Sequence, residues 1–334
     1  MGGDFGPAVT VPACLAVLEQ SPGLSLTLVG DQSQIEAQID TAMARSGAHH
    51  PERITVVHTP DVIEMDDKPS VALRKKKNSS TYRTIELVSQ GHVDACVSGG
   101  NTGALMAIGR HLLKTYPGVD RPAIVSAFPT LQERCFVLDL GANAAVQPHF
   151  LSQFAVMANA MTNLVYGISA PRIGLLNMGK EASKGNELVQ AADALIREID
   201  DLNYVGFIEA NDIFEGKVDV AVCDGFVGNV MLKTMESVAA MMDQRVEQQL
   251  QKEQLSPKDS DKILPLLARV RHQIDPGQFN GASFLGLQGT VIKSHGAADQ
   301  SAFERALYTA SAHAKFDLPT RIQERIEQLN ASCL

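Results

Sequence analysis

The sequence predicts an α/β fold, in which helices cover both faces of a mostly parallel, doubly wound sheet. Short runs of β-branched and other apolar residues alternate with helical patterns along almost the whole chain. This alternation indicates parallel strands, because each parallel crossover needs a connection long enough to hold a helix. The 334 residues are enough to bury a large core, and we expect a single α/β domain over residues 1–334.

Strands are predicted where short apolar runs end at turn-forming residues. They cover residues 24–30, 54–59, 95–99, 123–129, 135–141, 172–179, 204–210, 218–225 and 289–295. Helices are predicted where apolar residues recur at helical spacing. They include residues 7–20, 32–46, 79–91, 102–114, 148–166, 184–199 and 300–315. In a sheet of this kind, ligands bind beyond the carboxyl ends of the strands.

Two amphipathic helices interrupt the alternation and are predicted to form a hairpin arm over residues 230–274. The apolar stripe of the first helix consists of Met231, Met235, Val238, Met242, Val246 and Leu250. The stripe of the second consists of Ile263, Leu266, Leu267, Val270 and Ile274, and we expect Pro265 to break that helix early. The stripes have three interpretations: packing on each other or on the sheet, a dimer interface, or contact with a membrane surface.

The overall charge argues against nucleic-acid binding, because phosphate backbones require a basic surface and this chain has a net charge of −9. No run of about 18 apolar residues is present, so we expect no membrane-spanning helix. The five cysteines are Cys14, Cys96, Cys135, Cys223 and Cys333, and none forms a CxxC pair. We interpret them as reduced thiols of a cytosolic protein and assign no chemistry to them.

Six glycine-containing loops directly follow apolar runs or precede helices, and each also carries amides, hydroxyls or charges. They are residues 2–4, 98–103, 139–143, 177–181, 224–229 and 293–296. We expect all six to lie on one rim of the sheet and to line a single cleft. The loop 98–103 opens a helix, whose free N–H groups and positive dipole end favour an anion such as phosphate.

Basic residues near this rim are candidates for an anionic ligand. Lys184 is expected to open a helix beside Gly185 and Asn186, where a cation would add to the helix dipole. The run Arg74, Lys75, Lys76 and Lys77 predicts either a positive surface for an acidic partner or a solvated helix face.

The usual motifs for covalent, metal or nucleotide chemistry are missing from the sequence. There is no GxSxG elbow, no HExxH, no Walker A motif and no GxGxxG fingerprint. We therefore expect no metal and no cofactor. A donor-rich cleft without such groups is suited to direct attack by bound phosphate on an activated acyl group, with proximity and oxyanion stabilisation supplying the catalysis.

Several long motifs closely resemble those of the bacterial acyl-ACP:phosphate acyltransferases, the PlsX family. They are MGGDFGP at 1–7, MDDKPS at 65–70, SGGNTGALM at 98–106, KGNE at 184–187, CDGFVGNV at 223–230 and VIKSHG at 291–296. The resemblance implies transfer of a fatty acyl group from acyl carrier protein to inorganic phosphate, for phospholipid synthesis. It also implies a fold like isopropylmalate dehydrogenase and phosphate acetyltransferase, and a homodimer associated peripherally with the inner face of the membrane. A membrane-bound glycerol-3-phosphate acyltransferase would be a further partner.

The resemblance also suggests where the site residues lie. Catalytic candidates are Lys184, Asn229 and His295, with His295 placed to protonate the departing thiolate. Substrate-binding candidates are Gly3, Asp4, Lys68, Ser70, Ser98, Gly100, Asn101, Thr102, Asn143, Asn186, Asp224 and Lys293. The basic run 74–77 is the candidate surface for acyl carrier protein.

The sequence departs from the family pattern at a few places. Family members usually carry a strand before the MGGD motif, so the resemblance predicts an additional strand ahead of Met1 in the same sheet. Thr81 stands where methionine is usual, and Lys180 stands where glutamate is usual. Two alternatives to the carrier-dependent activity stay open: a short-chain phosphate acyltransferase that uses acyl-CoA, and a non-catalytic scaffold that recruits lipid enzymes to the membrane.

Overall fold

The computed structural model describes residues 1–46, 51–253 and 257–332. Its helices are α1 Pro7–Gln20, α2 Gln32–Ser46, α3 Pro69–Lys75, α4 Ser80–Ser89, α5 Thr102–Leu112, α6 Pro148–Tyr166, α7 Glu187–Arg197, α8 Ala210–Phe214, α9 Gly225–Glu253, α10 Pro257–Ile274, α11 Gln300–Lys315 and α12 Leu318–Ser332. Its strands are β1 Leu26–Gly30, β2 Ile54–His58, β3 Ala95–Ser98, β4 Ala123–Pro129, β5 Arg134–Leu138, β6 Ile173–Leu176, β7 Tyr204–Ile208, β8 Val220–Val222, β9 Ala282–Leu285 and β10 Thr290–Lys293. Short 3₁₀ turns cover Pro51–Arg53 and Pro276–Phe279.

The predicted α/β class with a mostly parallel sheet is confirmed, and α1, α2, α6, α11 and β4 have the predicted bounds. The prediction missed α3, α8, α12 and β9. Strand β9 has only four residues, and it lies among glycines and polar residues that resemble a loop. Several predicted strands are too long, because the prediction included turn residues that follow them, such as Asp139, Asn177 and Glu209.

The main sheet has eight strands in the order β3-β10-β9-β4-β5-β8-β6-β7. The pairs β3–β10, β5–β8, β8–β6 and β6–β7 are parallel, whereas the three pairs that involve β9 or β4 are antiparallel. Two short turns, 130–133 and 286–289, produce the reversals, because neither is long enough for a parallel crossover. The sheet therefore consists of two parallel groups that run in opposite directions.

The register brings the carboxyl ends of both groups to the same level. One row of neighbouring residues crosses the sheet through Ile292, Ser283, Val125, Leu138, Val222 and Leu175. Strands β10, β5, β8 and β6 each end at this row or one residue beyond it. The expectation that all the loops share one rim of a parallel sheet is thus wrong in its geometry. They converge instead on the middle of the sheet, from opposite sides.

Helices cover both faces of this sheet, as the doubly wound class requires. A core cluster on one face contains Leu151, Phe154, Met157 and Met161 of α6, together with side chains of α7 and α12. A second cluster contains Ile85 of α4 and apolar side chains of α5. Both faces of the strands are buried, which explains their continuous apolar sequences.

Strands β1 and β2 form a separate, parallel two-stranded sheet. Among the described residues, β1 pairs only with β2, and β3 pairs only with β10, so both strands have a free edge. A groove of about 760 Å³ separates these edges. Met1 lies in this groove near Gly30, at the carboxyl end of β1.

The predicted arm is present as the helical pair α9 and α10. Arg271 of α10 forms ion pairs with Asp243 (3.1 Å) and Glu247 (3.7 Å) of α9. The prediction that Pro265 breaks the second helix is wrong, since α10 continues through it and loses only one backbone hydrogen bond. Large apolar side chains of the arm are exposed, and they are Val238, Met241, Met242, Leu264, Leu266 and Val270.

The cysteines that the structure describes are buried free thiols, as predicted. Burial raises the pKa of the Cys14 and Cys96 thiols to about 12, which suppresses thiolate chemistry. Cys333 lies outside the described residues. No described helix combines the length and the apolar character that a membrane crossing requires.

Candidate active site

A cleft of about 1030 Å³ lies where the two groups of strands converge. Its floor includes Ile124 and Ser126 of β4 and Ala282 of β9, the two central antiparallel strands. Its walls come from the first turns of α5 and α9, the loop 140–144, the 3₁₀ turn, the loop after β10 and α11. Four of the six predicted loops therefore line this cleft, and a fifth, residues 2–4, supports one of its walls.

The glycine loop 98–103 forms the start of α5 at the edge of the cleft. The Ser98 hydroxyl accepts a hydrogen bond from the Gly100 N–H (3.1 Å). Asn101 caps α5 by accepting from the Ala104 N–H (3.0 Å), and its amide donates to the carbonyl of Met65 (2.8 Å). Asn101 is buried and serves to hold the loop, while Thr102 lines the cleft directly.

The loop 2–4 packs against this glycine loop. A Cβ at Gly2 would lie 2.8 Å from the Gly100 nitrogen, so the two backbones touch in a way that only glycine allows. The Asp4 N–H donates to the carbonyl of Gly296 (2.8 Å). Gly3 and Asp4 therefore support the loops after β3 and β10, and neither residue lines the cleft, where the sequence predicted them.

Asp139 organises the opposite wall. Its carboxylate accepts hydrogen bonds from the N–H groups of Ile124 (3.0 Å), Ala142 (3.0 Å) and Asn143 (2.7 Å). Burial raises the pKa of Asp139, and these hydrogen bonds oppose the shift by stabilising the charge. The Asn143 side chain donates to Asp139 (2.9 Å) and to the Pro122 carbonyl (2.8 Å), so it fixes the loop rather than facing a ligand.

Helix α9 begins against that loop. The Asp224 carboxylate caps it by accepting from the N–H groups of Phe226 and Val227, both at 2.9 Å. A Cβ at Gly228 would lie 1.9 Å from the Asp139 carbonyl oxygen, so the helix contacts the loop through backbone atoms. Asn229 lines the cleft beside Gly141. The sequence prediction for Asn229 thus agrees with its place in the cleft, whereas Asp224 acts as a helix cap.

Lys293 is the partly buried cation of the cleft. Its ammonium donates to the carbonyl of Gly99 (3.3 Å), which links the loops after β3 and β10. Burial and the neighbouring Lys233 together lower the pKa of Lys293 to about 8, and Asp4 opposes the shift. Such a cation binds an anion strongly, because an anionic ligand restores the stabilisation that water gives elsewhere.

His295 is held with a defined tautomer. Its Nδ1 accepts a hydrogen bond from the Ala297 N–H (3.1 Å), so in the neutral ring the proton is on Nε2. Its backbone N–H donates to the Asn280 side-chain oxygen (2.8 Å). Because His295 lines the cleft, its Nε2–H is available to donate to a ligand.

Three cationic residues of the cleft were missed by the sequence prediction: Arg110 on α5, Lys233 on α9 and Arg305 on α11. Lys233 forms an ion pair with Glu236 (2.7 Å). All three lie within helices, whereas the prediction searched the loops that follow strands. For Arg110 and Lys233, the helical spacing from Thr102 and Asn229 was the available signal, since residues three or four apart share a helix face. No such signal was available for Arg305.

The loop after β6 does not line this cleft. Lys184 is exposed, and its backbone carbonyl accepts from the Asn177 amide (3.1 Å). Asn186 caps α7 by accepting from the Val189 N–H (2.9 Å). Lys180 pairs with buried Asp212 (2.7 Å) and is therefore not a free cation. The expectation that all six loops line one cleft is wrong for this loop.

Lys68 and Ser70 lie at the start of α3, outside the residues that line the cleft. In the basic run, Arg74, Lys75 and Lys77 are exposed, whereas Lys76 pairs with Asp67 at 2.5 Å. The run therefore presents three cations rather than four.

The arrangement of helices and strands is similar to that of solved phosphotransacetylases. A phosphotransacetylase from Streptococcus pyogenes superposes with a TM-score of 0.61 at 19% identity, over 92% of this chain and 91% of that one. The 4-hydroxythreonine-4-phosphate dehydrogenase from Klebsiella pneumoniae gives a TM-score of 0.54 at 14% identity, over 94% and 98% of the two chains. At these identities the likeness concerns the fold alone.

Sequence comparison is more specific. The family model described as "Fatty acid synthesis protein" matches residues 1–321, and the chain belongs to that family. A protein of Halorhodospira halophila named "Phosphate acyltransferase" is 46% identical over 329 residues, which cover 98% of this chain and 95% of the relative. A protein of the same name from Methylococcus capsulatus is 47% identical over 332 residues, covering 99% and 96%.

Proposed function

We propose that this protein transfers a fatty acyl group from acyl carrier protein to inorganic phosphate and thereby forms an acyl phosphate for phospholipid synthesis. The observation that carries the proposal is the half-buried Lys293 ammonium, placed in a large cleft beside the first turn of α5. A cation and a helix N-terminus together favour phosphate. The names and full-length similarity of the relatives support the same reaction.

In this reaction a phosphate oxygen attacks the thioester carbonyl carbon. A carbon–oxygen bond forms and the carbon–sulfur bond breaks, so the products are acyl phosphate and the thiol of the carrier. The proton of hydrogen phosphate ends on the thiol sulfur. A thiol with a pKa of about 8.5 is a good leaving group, so positioning and charge stabilisation supply most of the catalysis.

The cleft residues have separable roles in this proposal. Lys293 and Thr102, with the N–H groups that open α5, hold the phosphate. Asn229 and the Nε2–H of His295 donate hydrogen bonds to the carbonyl oxygen as it becomes negative, while the proton of hydrogen phosphate passes to the departing sulfur. Lys184 remains a prediction from the sequence, and its exposed position outside the cleft gives it no contact with these groups.

Acyl carrier protein is the proposed donor because three exposed cations, Arg74, Lys75 and Lys77, lie on a chain that is otherwise acidic. A carrier with an acidic surface would be attracted to them. We also propose that the protein is a cytoplasmic homodimer that associates with the inner face of the membrane. The exposed apolar side chains of the arm support such a contact surface. That location would deliver acyl phosphate to a membrane-bound glycerol-3-phosphate acyltransferase, and sedimentation with anionic lipid vesicles tests it.

The central experiment incubates the purified protein with palmitoyl-acyl carrier protein, with and without phosphate. Free thiol and acyl phosphate are measured together. Phosphate-dependent release of both in equal amounts is expected. Thiol release that ignores phosphate, or none at all, overturns the proposal.

Changing the acyl donor and changing the basic residues of the protein separate the alternatives. If palmitoyl-CoA is turned over as fast as palmitoyl-acyl carrier protein, the enzyme that uses acyl-CoA is favoured. Charge reversal at Arg74 and Lys77 is expected to raise the KM for the carrier-bound donor and to leave the KM for palmitoyl-CoA unchanged. Vesicle binding without any turnover favours the scaffold.

A further inference from the structure

The cleft is far larger than phosphate requires. Its volume of about 1030 Å³ is at the upper end of the range that accommodates drug-sized ligands, roughly 300–1,000 Å³. A polar surface suits the phosphate, the thioester carbonyl and the pantetheine arm, whereas an apolar surface suits the fatty acyl chain. The two walls of the cleft differ in polarity.

The wall formed by α5 and α9 carries an apolar strip, with the charged residues Arg110, Lys233 and Glu236 beside it. Met106 and Ala107 come from α5, and Leu232 and Met235 come from α9. Met106, Leu232 and Met235 pack against the same buried cluster, so they lie over the same face of the sheet. Each is only partly buried, which leaves apolar surface facing the cleft.

The wall formed by the 3₁₀ turn and α11 is polar. It contributes the side chains of Asp275, Asn280, Asp299, Ser301 and Arg305. Helix α11 packs its apolar residues on other clusters, which include Phe303, Leu307 and Ala306. The polar and apolar walls therefore belong to different packing units on the two sides of the cleft.

We propose that the fatty acyl chain of the substrate lies against the α5–α9 wall, beside Met106, Ala107, Leu232 and Met235, while the pantetheine arm follows the polar wall of α11. This inference rests on the proposed function, because it places the two arms of one thioester around the carbonyl at Asn229 and His295. Methionine suits such a wall, since its flexible side chain can adapt to chains of different length. Ala107 is the position where a larger side chain would occupy the acyl path.

The test compares palmitoyl and butyryl donors on the carrier protein. Ala107→Phe is expected to lower kcat/KM for the palmitoyl donor by about tenfold or more and to change it for the butyryl donor by less than about twofold. The matched control is Ala37→Phe, an identical change at an exposed position of α2. Ala107→Leu is a milder variant that covers the case in which phenylalanine prevents folding, and thermal unfolding checks all three proteins.

Binding of the fluorescent fatty acid cis-parinaric acid gives a readout independent of turnover. Ala107→Phe should raise its Kd by about tenfold, and Ala37→Phe should leave it unchanged. An equal loss with both donors, or unchanged palmitoyl turnover and unchanged fatty-acid binding, overturns this placement of the chain. Failure of the proposed function gives a different result, in which wild-type protein shows no phosphate-dependent turnover of either donor while the binding measurement still decides the position of the apolar site.

Discussion

The loops after β10 and after β6 look alike in sequence and lie in different surroundings. Both follow a short apolar strand, and both bring glycine, lysine and a polar neighbour to its carboxyl end. Strand β10 lies next to the central antiparallel pair, whereas β6 is separated from that pair by β5 and β8. Lys293 is consequently half-buried in the cleft, and Lys184 is exposed outside it. The position of a strand in the sheet, and not the composition of its loop, decides which lysine can act on a substrate.

Replacing Lys293 and Lys184 in turn should give the largest difference in activity between the two loops. Lys293→Met is expected to lower kcat/KM for phosphate at least about a hundredfold, because a desolvated cation that contacts the anion is lost. Lys184→Met should change it by less than about twofold, since surface charges are screened by water. Steady-state kinetics over a range of phosphate concentrations measures both. A comparable loss in the two variants would place Lys184 in the site as well.

The sequence predicted the helices and strands well because their apolar periodicity reflects local burial. It also predicted that glycine loops meet at a ligand site. The antiparallel centre was missed because β9 is short and was not predicted as a strand. The gap between the predicted strands 123–129 and 135–141 is too short for a parallel crossover, and the prediction did not use that signal.

Among the site residues, Thr102, Asn229, Lys293 and His295 lie in the cleft where the motifs placed them. Asn101, Asn143, Asn186 and Asp224 are used by the backbone as caps and loop supports. Amides and carboxylates serve both purposes with the same local sequence. The choice between them depends on whether the side chain finds a backbone partner, which only the tertiary structure decides.

The close contact between α9 and the loop 139–143, which together form one wall of the cleft, should contribute to the free energy of unfolding. Gly228→Ala is expected to lower the free energy of unfolding by about 2 kcal/mol, since overpacking against the Asp139 carbonyl outweighs the better helix propensity of alanine. Gly23→Ala is the control, because a Cβ there has no neighbour within 4 Å. Urea unfolding of both variants measures the difference. Equal stability would mean that α9 can shift away from the loop.

The pKa of Lys293 predicts a smaller, pH-dependent effect that again distinguishes it from an exposed lysine. Burial, with Lys233 nearby, lowers this pKa to about 8, so the ammonium loses its proton as the pH rises through 8. Phosphate binding should weaken over that range, with kcat/KM falling by up to about tenfold between pH 7 and 9.

In the unfolded chain a lysine titrates near 10.4, so the destabilisation from burying the charge is complete below pH 8 and disappears as the pH rises toward 10.4. Activity and stability should therefore change in opposite directions. Lys293→Arg keeps its charge throughout, so its activity should persist at pH 9, and a pH profile of both proteins at fixed ionic strength measures this. If the two proteins lose activity in parallel above pH 8, a group other than Lys293 sets the alkaline limit.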